Sequence, residues 1–186
     1  KGNNFPIEGT RQTLPILTGT GINLNENKLT SNSLSVLEIP LILNPEFPNF
    51  DPFVYFKIDS IGTFLPRPQA NTIEFRKAEN TIKFLGLNRS KLILGFRKRV
   101  IRYYMERVKI ILIRYLGNRT NTAQYEEEFL EILKEIYKNT ILTKTSEYWF
   151  FWNYFLKNFK FFLTNYFKNK YRPGLYNTYD TLIQQI

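Results

Sequence analysis

Cysteine and histidine are both absent from this 186-residue chain. Without cysteine there are no disulfides, no thiolate nucleophiles and no Cys-type zinc sites. Without histidine the commonest general base and the commonest metal ligand are missing. Catalysis would have to rest on carboxylates, lysine, tyrosine or serine. No GxSxG elbow, Walker-type loop or SxxK motif provides a frame for that chemistry. The chain therefore reads as a non-enzyme that needs no cofactor or metal. Small aliphatics are also scarce, with three alanines and four valines. Phe, Ile, Asn, Lys and Tyr instead fill 82 of the 186 positions. Their codons are rich in A and T, which points to an A+T-rich genome. Organelle genomes are the familiar case, though some parasites, bacteria and phages share the bias. The expected location is accordingly the mitochondrion. The chain opens on Lys1, which suggests a start further upstream, and no charged-then-apolar signal peptide follows.

Hydrophobic residues make up 43% and charged residues 23%, enough apolar content for a real core. The net charge of +10 favours an anionic partner: nucleic acid, anionic lipid or acidic protein. That charge is not spread evenly. Residues 1–60 carry net −2, residues 61–118 net +10 and residues 119–186 net +2.

The expected fold is mainly α: a small domain of about three helices over 71–186, preceded by a long, extended, Pro-rich arm over 1–70 with room for short strands. Eight of the nine prolines fall between Pro6 and Pro68. They remove backbone donors and push the preceding residues toward extended geometry. The stretch Asn44 to Pro52 cannot be a helix. Val36 to Leu43 and Phe53 to Ile58 are candidate strands. Thr72 to Leu87 fits either a strand or a short helix. Asn88-Arg89-Ser90 reads as a turn and helix start. From about Lys91 to Leu116, Ile101, Tyr104, Met105, Val108, Ile111, Leu112 and Tyr115 recur at spacings of three and four, which defines one apolar helix face. Gly117-Asn118 is a good stop. Asn121 and Gln124 resemble a capping box before a helix over Tyr125 to Lys138, with Glu126 to Glu128 in its first turn. A last helix is expected over about Ser146 to Lys170, ended by Pro173-Gly174, with an extended or weakly helical tail.

The arginine-rich segment is the most informative feature. Arg89, Lys91, Arg97, Lys98, Arg99, Arg102, Arg107, Lys109 and Arg114 crowd into 26 residues. Arginine presents a planar fork of donors that matches phosphate. Tyr103, Tyr104 and Tyr115 are placed to stack on bases. The bland alternative is a solvated face, or pairing with the acidic helix that follows. The second feature is the aromatic run over 148–167. Asn153, Lys157, Lys160, Thr164 and Lys168 would form one polar stripe on an otherwise bulky apolar helix. Such a helix could be core, lie in a membrane interface or span a membrane. Two mid-segment lysines and three asparagines argue against lipid on all sides. Gly19-Thr20-Gly21 lacks the rest of a dinucleotide fingerprint and reads as a turn. The sequons at Asn88 and Asn118 are expected by chance among 19 asparagines. Glu126, Glu127 and Glu128 point about 100° apart on a helix and do not converge.

Two functions follow. The leading one is a structural RNA-binding component of a ribonucleoprotein, an organellar ribosomal protein contacting rRNA and neighbouring ribosomal proteins through the Arg-rich helix. The rival is a non-catalytic accessory subunit of a mitochondrial inner-membrane respiratory complex. There the aromatic helix would be membrane-associated, and the basic segment would face other subunits or anionic lipid. A basic accessory domain in nucleic-acid processing, or a phage structural protein, ranks below both.

Overall fold

The computed structural model describes residues 41–44, 49–118, 120–143 and 148–186, plus four short strands nearer the N-terminus. The chain is mainly α. It divides into two compact units, one of residues 1–56 and 65–87, the other of residues 57–64 and 88–186.

In the first unit β1 (Ile7–Gly9) pairs antiparallel with β4 (Glu38–Pro40), and β2 (Leu17–Thr18) with β3 (Gly21–Ile22). The rest of the expected arm before residue 41, and residues 45–48 of its Pro-rich stretch, lie outside the described residues. Val36 to Leu43 is a strand only over β4 among the described residues. Phe53 to Ile58 is not one strand. It opens as a helical turn, α1 (Pro52–Tyr55), because Pro52 suits the first position and Asp51 accepts from the Phe53 N–H at 2.9 Å. Only Phe56–Ile58 (β5) is extended, and it pairs with β6 (Phe64–Pro66).

Thr72 to Leu87 resolves as a helix, α2 (Ile73–Phe84). Thr72 caps it by accepting from the Phe75 N–H at 3.1 Å. Gly86, at φ +59°, ends it: Leu87 N–H donates to Ile82 and Gly86 N–H to Lys83. That pair of bonds is a Schellman stop. The buried Thr81 hydroxyl accepts from the Leu43 N–H at 2.9 Å and donates back to the Lys77 carbonyl at 2.7 Å.

Among its described residues the second unit is mainly helical apart from the hairpin segment 57–64. It contains α3 (Ser90–Leu92), a π-turn (Ile93–Arg97), α4 (Lys98–Gly117), α5 (Thr122–Leu142), α6 (Trp149–Lys157), α7 (Phe159–Tyr166) and α8 (Arg172–Leu182). The apolar face expected on α4 is present: Ile101, Tyr104, Met105 and Val108 are buried. They meet Phe129, Ile132, Leu133 and Ile136 of α5 and the aromatic residues of α6 and α7. Phe151, Phe155, Phe159 and Phe162 are essentially inaccessible. The Phe155 ring lies 4.8 Å from Phe162 and 5.4 Å from Phe159, both edge-on. Burying each such ring contributes about 1.5–3 kcal/mol.

Three expectations are corrected here. The single aromatic helix is two, broken at Asn158 (φ −111°, ψ 26°), whose amide donates to the Tyr154 carbonyl at 2.9 Å. Its rings fill the core of this unit, and among the described residues no helix is long and apolar enough to cross a membrane. Pro173 and Gly174 do not end a helix; they sit in the first turn of α8, where proline lacks only an N–H that would be unpaired anyway. Finally, α5 starts at Thr122, so Glu126 to Glu128 lie beyond its first turn. The Asn121 amide donates to the Gln124 side chain instead of capping the backbone.

Candidate nucleic-acid interface

The nine cations of the candidate site fall on α3, the π-turn and α4 or just before them, and the structure separates them into two classes. Arg97 is buried, at 4% exposure. Its guanidinium donates to the Gly62 carbonyl at 2.8 Å and stacks over the Phe64 ring at 4.5 Å. Gly62 itself (φ +91°) approaches so closely that an added Cβ would lie 2.5 Å from the Arg97 Cβ. Arg97 therefore ties the hairpin tip to the helical run and is not a phosphate ligand. The sequence carried a signal for this: Arg97 lies four residues before Ile101 and seven before Tyr104, on the apolar face. Asn88 supports the same hairpin, accepting from the Phe64 N–H at 2.8 Å and donating to its carbonyl at 2.9 Å.

Three further cations are occupied by carboxylates. Arg107 pairs with Glu135, and Arg114 with Glu128, both across the α4–α5 contact. Burial opposes the charge of Arg107, but the hydrogen bond and charge of Glu135 outweigh it and raise its pKa. Lys109 lies 3.4 Å from Glu106 on its own helix. Two of the three tyrosines expected to stack on bases are likewise engaged. Tyr104 is buried and donates to Glu135 at 3.0 Å; burial first, then that carboxylate, holds its phenol well above the ordinary value. Tyr103 is exposed, but the Arg107 guanidinium sits 5.4 Å from its ring centroid. Tyr115 packs edge-on to Tyr125 at 5.8 Å.

Arg89, Lys91, Lys98, Arg99 and Arg102 remain. All five are exposed, and among the described residues none has a carboxylate within salt-bridge distance. Lys98 and Arg102 are one helical turn apart, and Arg99 and Arg102 are three residues apart, so these three share a face. From Arg89 to Arg102 the run covers about 20 Å at helical rise. The acidic triplet does not converge: Glu128 holds Arg114, while Glu126 and Glu127 are exposed. No protein family, curated protein or solved structure matches the chain.

Proposed function

We propose that the chain is a structural RNA-binding component of a ribonucleoprotein, in the manner of a mitochondrial ribosomal protein, working without catalysis. One observation carries the reading: five exposed cations, three of them arginines and none with a carboxylate partner among the described residues, lie along a single helical run. Such a surface neutralises phosphates and releases their counterions. rRNA and neighbouring proteins are read as its partners; of the expected arm over 1–70, residues 57–64 belong instead to the second compact unit. The rival reading, a subunit of a membrane respiratory complex, drew its support from the aromatic segment. Most of those rings, Phe161 and Tyr166 excepted, are buried or half-buried in the second unit, which weakens that support.

The test is RNA binding as a function of salt. Affinity for structured RNA should fall linearly in log–log terms with salt. Neutralising Lys98, Arg99 and Arg102 together should flatten that line, by about 0.7–0.9 for each phosphate contact removed. Binding that ignores salt, or a slope unchanged in the triple variant, would sink the proposal.

A further inference from the structure

A groove of about 300 Å³ opens where the C-terminal half of α4 meets the first turns of α5 and α8. Tyr115, Tyr125, Phe129 and Tyr171 supply its aromatic walls, over aliphatic side chains of α4. Lys170 and Glu126 stand at its edge. The Lys170 ammonium lies 4.7 Å from the Tyr171 ring centroid. Tyr125 donates to the Arg114 carbonyl at 3.3 Å, whereas the hydroxyls of Tyr115 and Tyr171 make no hydrogen bond among the described residues. The volume is at the bottom of the range of about 300–1,000 Å³ for ligand clefts.

We propose that this groove takes one unstacked nucleobase of the bound RNA, with Lys170 meeting an adjacent phosphate. The inference rests on the RNA-binding reading above. Flat π faces hold a base by stacking, whatever its identity. Two free phenol hydroxyls and the Glu126 carboxylate can meet the donors and acceptors on its edge. A lone cation at the rim suits the one phosphate that accompanies a base. An acyl chain would want a wall without these polar edges. An apolar protein side chain would leave the ammonium and hydroxyls unmatched.

The test compares two strands of equal charge: a single-stranded RNA dodecamer and the same backbone with abasic riboses. Binding is measured to the full chain, to Tyr171→Leu and to Tyr115→Leu, which keep apolar bulk but lose the flat ring. Each variant's circular dichroism and thermal melt check that it folds. Each substitution should weaken the RNA dodecamer about tenfold, as expected for one stacked base. Binding of the abasic strand, and the salt slope of both, should not change. Photocrosslinking of a 4-thiouridine dodecamer to the unaltered chain should label the peptides bearing Tyr115, Tyr125 or Tyr171. Equal losses on both strands, or crosslinks confined to 89–102, would overturn the groove while leaving the basic surface intact. Failure of both strands to bind at low salt would instead refute the RNA reading itself.

Discussion

The two halves of the arginine-rich run contain similar chemistry and are used differently. Over Arg89 to Arg102, five of six cations face solvent without a carboxylate partner among the described residues. Over Arg107 to Arg114, all three are occupied, two of them by α5. The cause is geometric. α5 runs back along the C-terminal half of α4 and brings Glu128 and Glu135 alongside Arg114 and Arg107. Among the described residues no acid of α5 pairs with the cations before Arg107. Charge density in a sequence is thus an upper bound on the charge available to a partner. The register of the facing helix decides how much is spent inside.

Arg97 is the exception in the first half, and breaking it should have the largest effect. Arg97→Ala removes a buried side chain and leaves the Gly62 carbonyl without that donor. Denaturant unfolding should show a loss of about 2–4 kcal/mol. Gly62→Ala attacks the same contact from the other side and adds left-handed backbone strain of about 1–3 kcal/mol. If both changes were near neutral, Arg97 would belong with the exposed cations and the separation drawn here would fail.

The next effect is on binding. Arg99→Gln with Arg102→Gln should flatten the salt dependence of RNA affinity by about 1.4–1.8 if each meets one phosphate. Arg107→Gln with Arg114→Gln should alter it much less, because those guanidiniums already face carboxylates. The converse sharpens the contrast. Glu128→Gln with Glu135→Gln releases Arg107 and Arg114, and the salt slope should steepen by up to about 1.8. Both pairs are partly exposed, so each should cost no more than about 1 kcal/mol of stability. Equal flattening in the two arginine double variants would show that only net charge matters.

Much of the helical frame was legible. The three-and-four spacing from Ile101 to Val108 marked the buried face of α4, and Gly117-Asn118 its end. The mainly α class followed from the same pattern. The breaks were less legible. Pro173-Gly174 reads equally well as a stop or as a first turn, since proline is tolerated at both places. Asn158 lies off the expected polar stripe and carried no mark of a break, yet its amide closes on the Tyr154 carbonyl and ends α6. For the candidate site, Arg97 was counted among the phosphate ligands, although its spacing to Ile101 and Tyr104 is that of the buried face. Which of Arg99, Arg102, Arg107 and Arg114 stay free depends on where α5 docks, and that is tertiary information.

The smallest effect concerns Glu106, whose carboxylate feels the charge of Arg102, one of the exposed cations. Tyr166 of α7 donates its hydroxyl to the Glu106 carboxylate. Desolvation, then that hydrogen bond, pushes the Tyr166 phenol up to about 12. The same bond, with help from Lys109 and Arg102, holds the Glu106 carboxyl below its ordinary 4.5. The two shifts define a window. The phenol holds its proton more tightly folded than unfolded, so its contribution is complete below its ordinary value of 10.0 and is lost as pH rises toward about 12. The carboxylate is preferred in the folded state, so its contribution is present above 4.5 and fades as pH falls through the lowered value. Tyr166→Phe should therefore remove one late step from the phenolate absorbance titration, read as the difference from the unaltered chain because Tyr104 and Tyr179 also titrate late. It should also let the Glu106 carboxyl titrate closer to 4.5 by NMR. RNA affinity at neutral pH should barely move, since no free cation is gained or lost. A Glu106 titration identical in both proteins would show that Arg102 and Lys109, not the phenol, set that carboxylate, and that its charge is shared with the binding face after all.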